Sequence, residues 1–162
     1  MRVLAFDPGY ERLGVAVLEK GDKNPTVVYS ECFKTDKKLP QPERLGAISL
    51  KIKSLISEFK PGVISLEKLF FQKNQKTALK VAEVRGIILS LASESGSEIL
   101  EFSPQEIKIA VTGYGNADKK SVMKMVPILV SGLKKTESDD EIDAVAIGIT
   151  ALLSSSFHRK AS

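Results

Sequence analysis

The stretch VLAFDPGYERLGVAV, residues 3–17, runs four apolar residues into Asp7, turns at Pro8 and Gly9, and resumes an apolar run at Leu13. RVLAFD (2–7) reads as a buried strand and LGVAVLEK (13–20) as a second one. A carboxylate left unpaired at the end of a buried strand is costly unless something binds it. Asp7 therefore calls for a partner, and the rest of the chain supplies candidates.

TVVYSECFK (26–34) reads as a third strand, set off by the turn residues KGDKNP. Three strands so closely linked predict an antiparallel meander. Leu45, Ile48, Ile52, Leu55, Ile56 and Phe59 then fall at helical spacing, and KPG closes that helix. VISLE (63–67) is a further buried strand that again ends in an acid, Glu67. A long helix is expected from about residue 72 to 93, then the strand EILEFS. Ser103, Pro104 and Glu106 form a capping-box start with proline at the first helical position. Residues 117–131 read as a helix that Pro127 kinks or shortens. The last helix is expected from Ser138, with Glu141 completing a second capping box, to about Phe157. The fold class predicted is α/β: a mixed five-stranded sheet flanked by helices, one domain over 1–157 and a short tail over 158–162.

With 162 residues, 43% of them hydrophobic, the chain can bury one sizeable core. Its net charge of +4 suits a polyanionic partner without requiring one. The single cysteine, Cys32, excludes an intramolecular disulfide, reads as a small apolar filler in its strand, and suits a reducing, cytoplasmic setting. No apolar run approaches the roughly 18 residues of a membrane span, so no membrane partner is expected.

Ligand sites gather at the carboxyl edges of strands joined by helical crossovers. Asp7 and Glu67 stand side by side there if their strands are parallel neighbours. ESDDEIDAVAIGITALL adds Asp140 and Asp143, three apart on one helical face. The helix dipole accounts for acids such as Asp139 and Glu141 in a first turn. It does not account for Asp143, which abuts the apolar AVAIGI face. Four converging carboxylates without histidine or cysteine repel one another, and a divalent cation resolves the repulsion. All-oxygen donors favour Mg²⁺ or Mn²⁺ over zinc. Two such ions about 3.5–4 Å apart activate water and stabilise the leaving oxygen of a phosphodiester. DPGYERLG also matches the D-x-G-x-x-x-x-G phosphate turn of actin-like and sugar-kinase ATPases, but those folds need two domains around a cleft, too much for 162 residues.

The helix after Glu67 is basic: Lys68, Lys73, Lys76, Lys80 and Arg85 against Glu83. Lys73, Lys76 and Lys80 form one stripe, ordinarily a solvated face; beside the second acid, these three and Arg85 are candidate phosphate contacts. Its apolar face (Leu79, Ala82, Ile87, Leu91) is available to the sheet or to a partner subunit.

Assembled, these motifs resemble the RuvC-type Holliday junction resolvases of the ribonuclease H-like nuclease superfamily. FDPGYERLGVAV resembles the first-strand motif, LEKLFFQKNQKTALKVAEVRG the second-acid and helix segment, PQEIKIAVTGYGNADKKSVMKMV the DNA-binding stretch and DDEIDAVAIGIT the terminal motif. The resemblance implies that Asp7, Glu67, Asp140 and Asp143 are catalytic metal ligands. Its D-A-V-A-I register selects Asp140, with Asp139 a neighbouring alternative. It implies that Phe70 wedges into the junction, with Phe71 an extra aromatic beside it, and that Lys108 and Lys119 lie near the scissile phosphate. Lys120 adjoins Lys119 as a further DNA contact. Ala151 stands where family members often carry histidine. The activity implied is paired symmetric nicking of a four-way DNA junction in recombination and repair, leaving 5′-phosphate and 3′-hydroxyl ends. The implied assembly is a homodimer with two Mg²⁺ per subunit, Mn²⁺ able to substitute, working with a branch-migration motor of the RuvA–RuvB type. A related nuclease acting on structured RNA and a non-catalytic junction-binding protein are the alternatives.

Overall fold

Strands β1 (Arg2–Asp7), β2 (Arg12–Glu19) and β3 (Thr26–Lys34) form the expected meander. Helix α1 (Gln41–Phe59) leads to β4 (Val63–Glu67), α2 (Gln75–Ser95) to β5 (Glu98–Phe102), and α3 (Pro104–Thr112), α4 (Lys119–Leu129) and α5 (Asp139–His158) complete the order. This computed structural model describes residues 1–69, 75–135 and 138–158, with side chains through residue 154. The strand order is β3-β2-β1-β4-β5. β1 and β4 are parallel, with Phe6 opposite Leu66, so Asp7 and Glu67 follow at the same edge.

Both faces of the sheet are covered, which is why its central strands read as unbroken apolar runs. Leu4, Phe6, Leu13, Val15, Ile64 and Leu66 pack against α1 and α2. Val3, Ala5, Ala16, Leu18 and Val63 pack against α3, α4 and α5. Helix α5 lies close on β2: a Cβ at Gly148 would come within 2.3 Å of Leu18 Cδ1. Among the described residues, no helix is long and apolar enough to cross a membrane.

The Ser103 capping box forms as expected, the Ser103 hydroxyl accepting from Glu106 N–H and the Glu106 carboxylate accepting from Ser103 N–H. Helix α4 is shorter than 117–131. Asp118 caps its start, and Pro127, which lacks an N–H, lies two residues before its end at Leu129. The apolar face expected for α2 is rotated: Val84, Ile88, Leu91 and Ala92 are buried, whereas Leu79 is 66% exposed. Cys32 is not apolar filler. It is half-buried, and its Sγ lies 3.7 Å from Asp140 Oδ2.

Candidate metal centre at the carboxyl edge of β1 and β4

Asp7 ends β1 opposite Gly14 of β2. A Cβ on Gly14 would lie 2.0 Å from the Asp140 carbonyl oxygen and 3.0 Å from Asp7 Cβ. Only a residue without a side chain lets the first turn of α5 settle there, and that contact brings Asp140 and Asp143 toward Asp7. Sequence reading passed over this glycine, although its place opposite Asp7 in the hairpin was available as a signal.

The electrostatics record the convergence. Burial, reinforced by the negative charges of Asp143, Glu67 and Asp140, raises the Asp7 pKa to about 8, with Lys119 opposing. Burial and Asp143 raise that of Glu67 against the pull of Arg85 and Lys108. Burial also raises Asp143, opposed by Lys119 and assisted by Asp139 and Asp140. Asp140, and not Asp139, is among the charges bearing on Asp7. The donors are all oxygens from mutually repelling carboxylates, a set whose chemistry fits a hard divalent cation. Among the described residues, no three such groups already stand at the spacing of a closed ligand shell.

Lys119 pairs with two acids of α5. Its Nζ lies 3.2 Å from Asp139 Oδ2 and 3.3 Å from Asp143 Oδ2. A cleft of about 180 Å³ opens beside it, with Glu67, Lys108, Lys119 and Asp143 around apolar walls from Ile107, Val122 and Ile147. A second cleft, of about 130 Å³, holds Asp7, Glu67, Lys68 and Arg85.

The expected DNA contacts separate in the structure. Lys76 and Lys80 lie exposed on α2, and Lys80 Nζ sits 4.7 Å from the centre of the Tyr10 ring. Lys120 is exposed at the start of α4. Arg85 differs from its expected role as a phosphate contact. Its guanidinium donates to the Glu67 carbonyl and pairs with Glu101, with 12% of the side chain exposed. It holds the backbone of the second acid, an assignment that needed tertiary contacts to see. Phe70, Phe71 and Lys73 lie outside the described residues.

Arg44 was not singled out in the sequence and is buried. It donates to Thr35 Oγ1 from Nε at 3.0 Å and from Nη2 at 2.8 Å, and stacks 4.0 Å from the centre of the Tyr10 ring. Its contacts brace the turn that follows Asp7.

The family described as "Crossover junction endodeoxyribonuclease RuvC" matches residues 3–151. A protein of that description from Thermosipho melanesiensis is 40% identical over 147 residues, covering 91% of this chain and 94% of its own. The solved Thermus thermophilus RuvC in complex with Holliday junction substrate superposes with a TM-score of 0.88 at 31% identity, covering 96% of this chain and 94% of that one. A second Thermus thermophilus RuvC structure gives 0.87 at 28% identity, covering 98% and 97%.

Proposed function

This chain belongs to the RuvC family of crossover junction endodeoxyribonucleases, and on that footing we propose that it resolves four-way DNA junctions by paired symmetric nicks. The observation that carries the proposal is Asp7, buried at the shared edge of β1 and β4 with Glu67, Asp140 and Asp143 bearing on it. We assign two Mg²⁺ per subunit to these four carboxylates, with Mn²⁺ able to substitute. When bound, a divalent cation supplies Lewis-acid polarisation of the phosphoryl oxygen and a nucleophile at neutral pH. The protein's own groups do the rest. The acids would hold the cation at the edge of β1 and β4, Lys119 and Lys108 neutralise charge that develops on the phosphate, and Arg85 keeps Glu67 in register. Lys76 and Lys80 grip flanking phosphates, which makes binding fall steeply with salt.

A two-fold junction needs two matched cuts, and a homodimer presenting one site per strand supplies them. Exposed Leu50 on α1 and Leu79 on α2, 70% and 66% accessible, are the apolar anchors we assign to that dimer. The proposal includes one nuclease domain over residues 1–157, a cytoplasmic setting and a branch-migration motor of the RuvA–RuvB type as partner. The deciding experiment is Mg²⁺-dependent nicking of a synthetic four-way junction, a linear duplex and a structured RNA. Junction-selective cutting supports the assignment; equal or preferential cutting of RNA defeats it.

Two variants test the parts. Lys119→Gln should slow single-turnover nicking by about a hundredfold, because it removes the cation that faces Asp143. A rate within threefold of wild type contradicts a role at the phosphate. Phe70→Ala should impair junction opening and slow cutting about tenfold while divalent-cation binding, followed by calorimetry, stays intact. Unchanged cutting removes the wedge assignment.

A further inference from the structure

In the β2–β3 pair, Arg12 stands directly opposite Lys34. Like charges in opposed positions of an antiparallel pair destabilise it. Both side chains point to the α5 face, as do Gly14 and Cys32 two residues along each strand, which meet Asp140. A lysine on an edge strand guards against strand addition wherever it sits. Opposing it to an arginine has no such rationale.

The two cations line a polar basin of about 490 Å³ with Lys119, Ser138, Asp139 and Asp140. Among the described residues, the two acids there are shared with other groups. Asp139 faces Lys119, and Asp140 is among the charges bearing on Asp7. Arg12 comes no closer than 3.9 Å to Asp140, with 61% of its side chain exposed. Lys34 is exposed and makes no ion pair among the described residues.

We propose that Arg12 and Lys34 form a phosphate subsite that holds the DNA backbone on the β3 flank of the carboxylates. This rests on the reading of the protein as a junction nuclease. A phosphodiester between a guanidinium fork and an ammonium relieves the repulsion the strand register creates. Helix α2, whose Lys80 sits over the Tyr10 ring, packs on the sheet face opposite α5, so a strand crossing Asp7 is gripped from both faces. Such contacts set the position of the strand and carry no base preference.

The test measures junction affinity against salt, without divalent cation so that nothing is cut, for wild type, Arg12→Gln, Lys34→Gln and the double variant. Each lost contact should lower the slope of log K against log salt by about 0.7–0.9. The double variant should bind roughly tenfold more weakly at 0.1 M salt. Thermal unfolding of Lys34→Gln and of Lys34→Glu should move upward, because the like-charge opposition is gone. Lys53→Gln, on the exposed surface of α1, should leave the salt slope unchanged. A double variant with wild-type slope and affinity overturns the subsite. So does a fall in unfolding temperature for Lys34→Glu with intact binding, which would mean the cations only balance Asp139 and Asp140. Wild-type protein that does not prefer the junction to linear duplex overturns the functional reading and the subsite with it.

Discussion

Asp7→Asn should abolish junction cleavage, a loss of at least about a thousandfold, and leave junction binding within about threefold of wild type. The substitution removes the most buried acid of the candidate centre and no cation that meets a phosphate. It should also stabilise the protein when no divalent cation is bound. The Asp7 pKa is raised from 3.8 to about 8 in the fold, so the folded form keeps its proton after the unfolded chain has released it. Below pH 3.8 both forms are protonated and the residue contributes no difference. Between there and pH 8 stability falls steadily, and above pH 8 the penalty is constant, on the order of several kcal/mol. Unfolding temperature measured from pH 4 to 9 with chelator should show this decline in wild type and lose most of it in Asp7→Asn. Mg²⁺ should restore wild-type stability at pH 8 and have little effect on the variant. Cleavage that survives the substitution, or a variant less stable than wild type at pH 8, would mean that Asp7 is not the repelled acid at the centre of the site.

Gly14→Ala should be the most damaging change outside the carboxylates. The added methyl would lie 2.0 Å from the Asp140 carbonyl oxygen and 2.7 Å from its carbon, both backbone atoms that no rotamer change can move. Either α5 lifts from β2 or the β1–β2 hairpin shifts; each separates Asp140 and Asp143 from Asp7. We expect a loss of about 3 kcal/mol in unfolding free energy, at the upper end for overpacking. We expect cleavage to fall by at least a hundredfold in protein that remains folded at low temperature, since small displacements of catalytic groups have effects of that size. Circular dichroism and single-turnover nicking at 10–15 °C below the variant's unfolding midpoint separate the two losses. A variant with wild-type unfolding and nicking would show that the close approach of α5 to β2 does not position the acids.

Much of the site was legible along the chain because its local signals agree. An acid following an apolar run marks a strand end, and it does so twice, at Asp7 and Glu67. Asp143 stands apart from a first-turn capping acid because apolar residues follow it at once. Ser103 and Glu106 carry their helix start in four residues. Such features depend on neighbours a turn or a strand away, so spacing is enough to find them.

The tertiary structure decided what depends on which surfaces meet. α2 carries apolar residues on more than one side, so spacing pointed to Leu79, Ala82, Ile87 and Leu91, whereas the sheet selected Val84, Ile88, Leu91 and Ala92. Arg85 resembled any other cation of a basic helix until β5 brought Glu101 beside it. Cys32 looked inert until α5 laid Asp140 across β2. In each case the partner comes from a distant part of the chain. Residue type and period determine how an element can fold and what chemistry it can offer; the partner that chemistry meets follows from the close packing of whole elements, set by strand register and by the room left at Gly14 and Gly148.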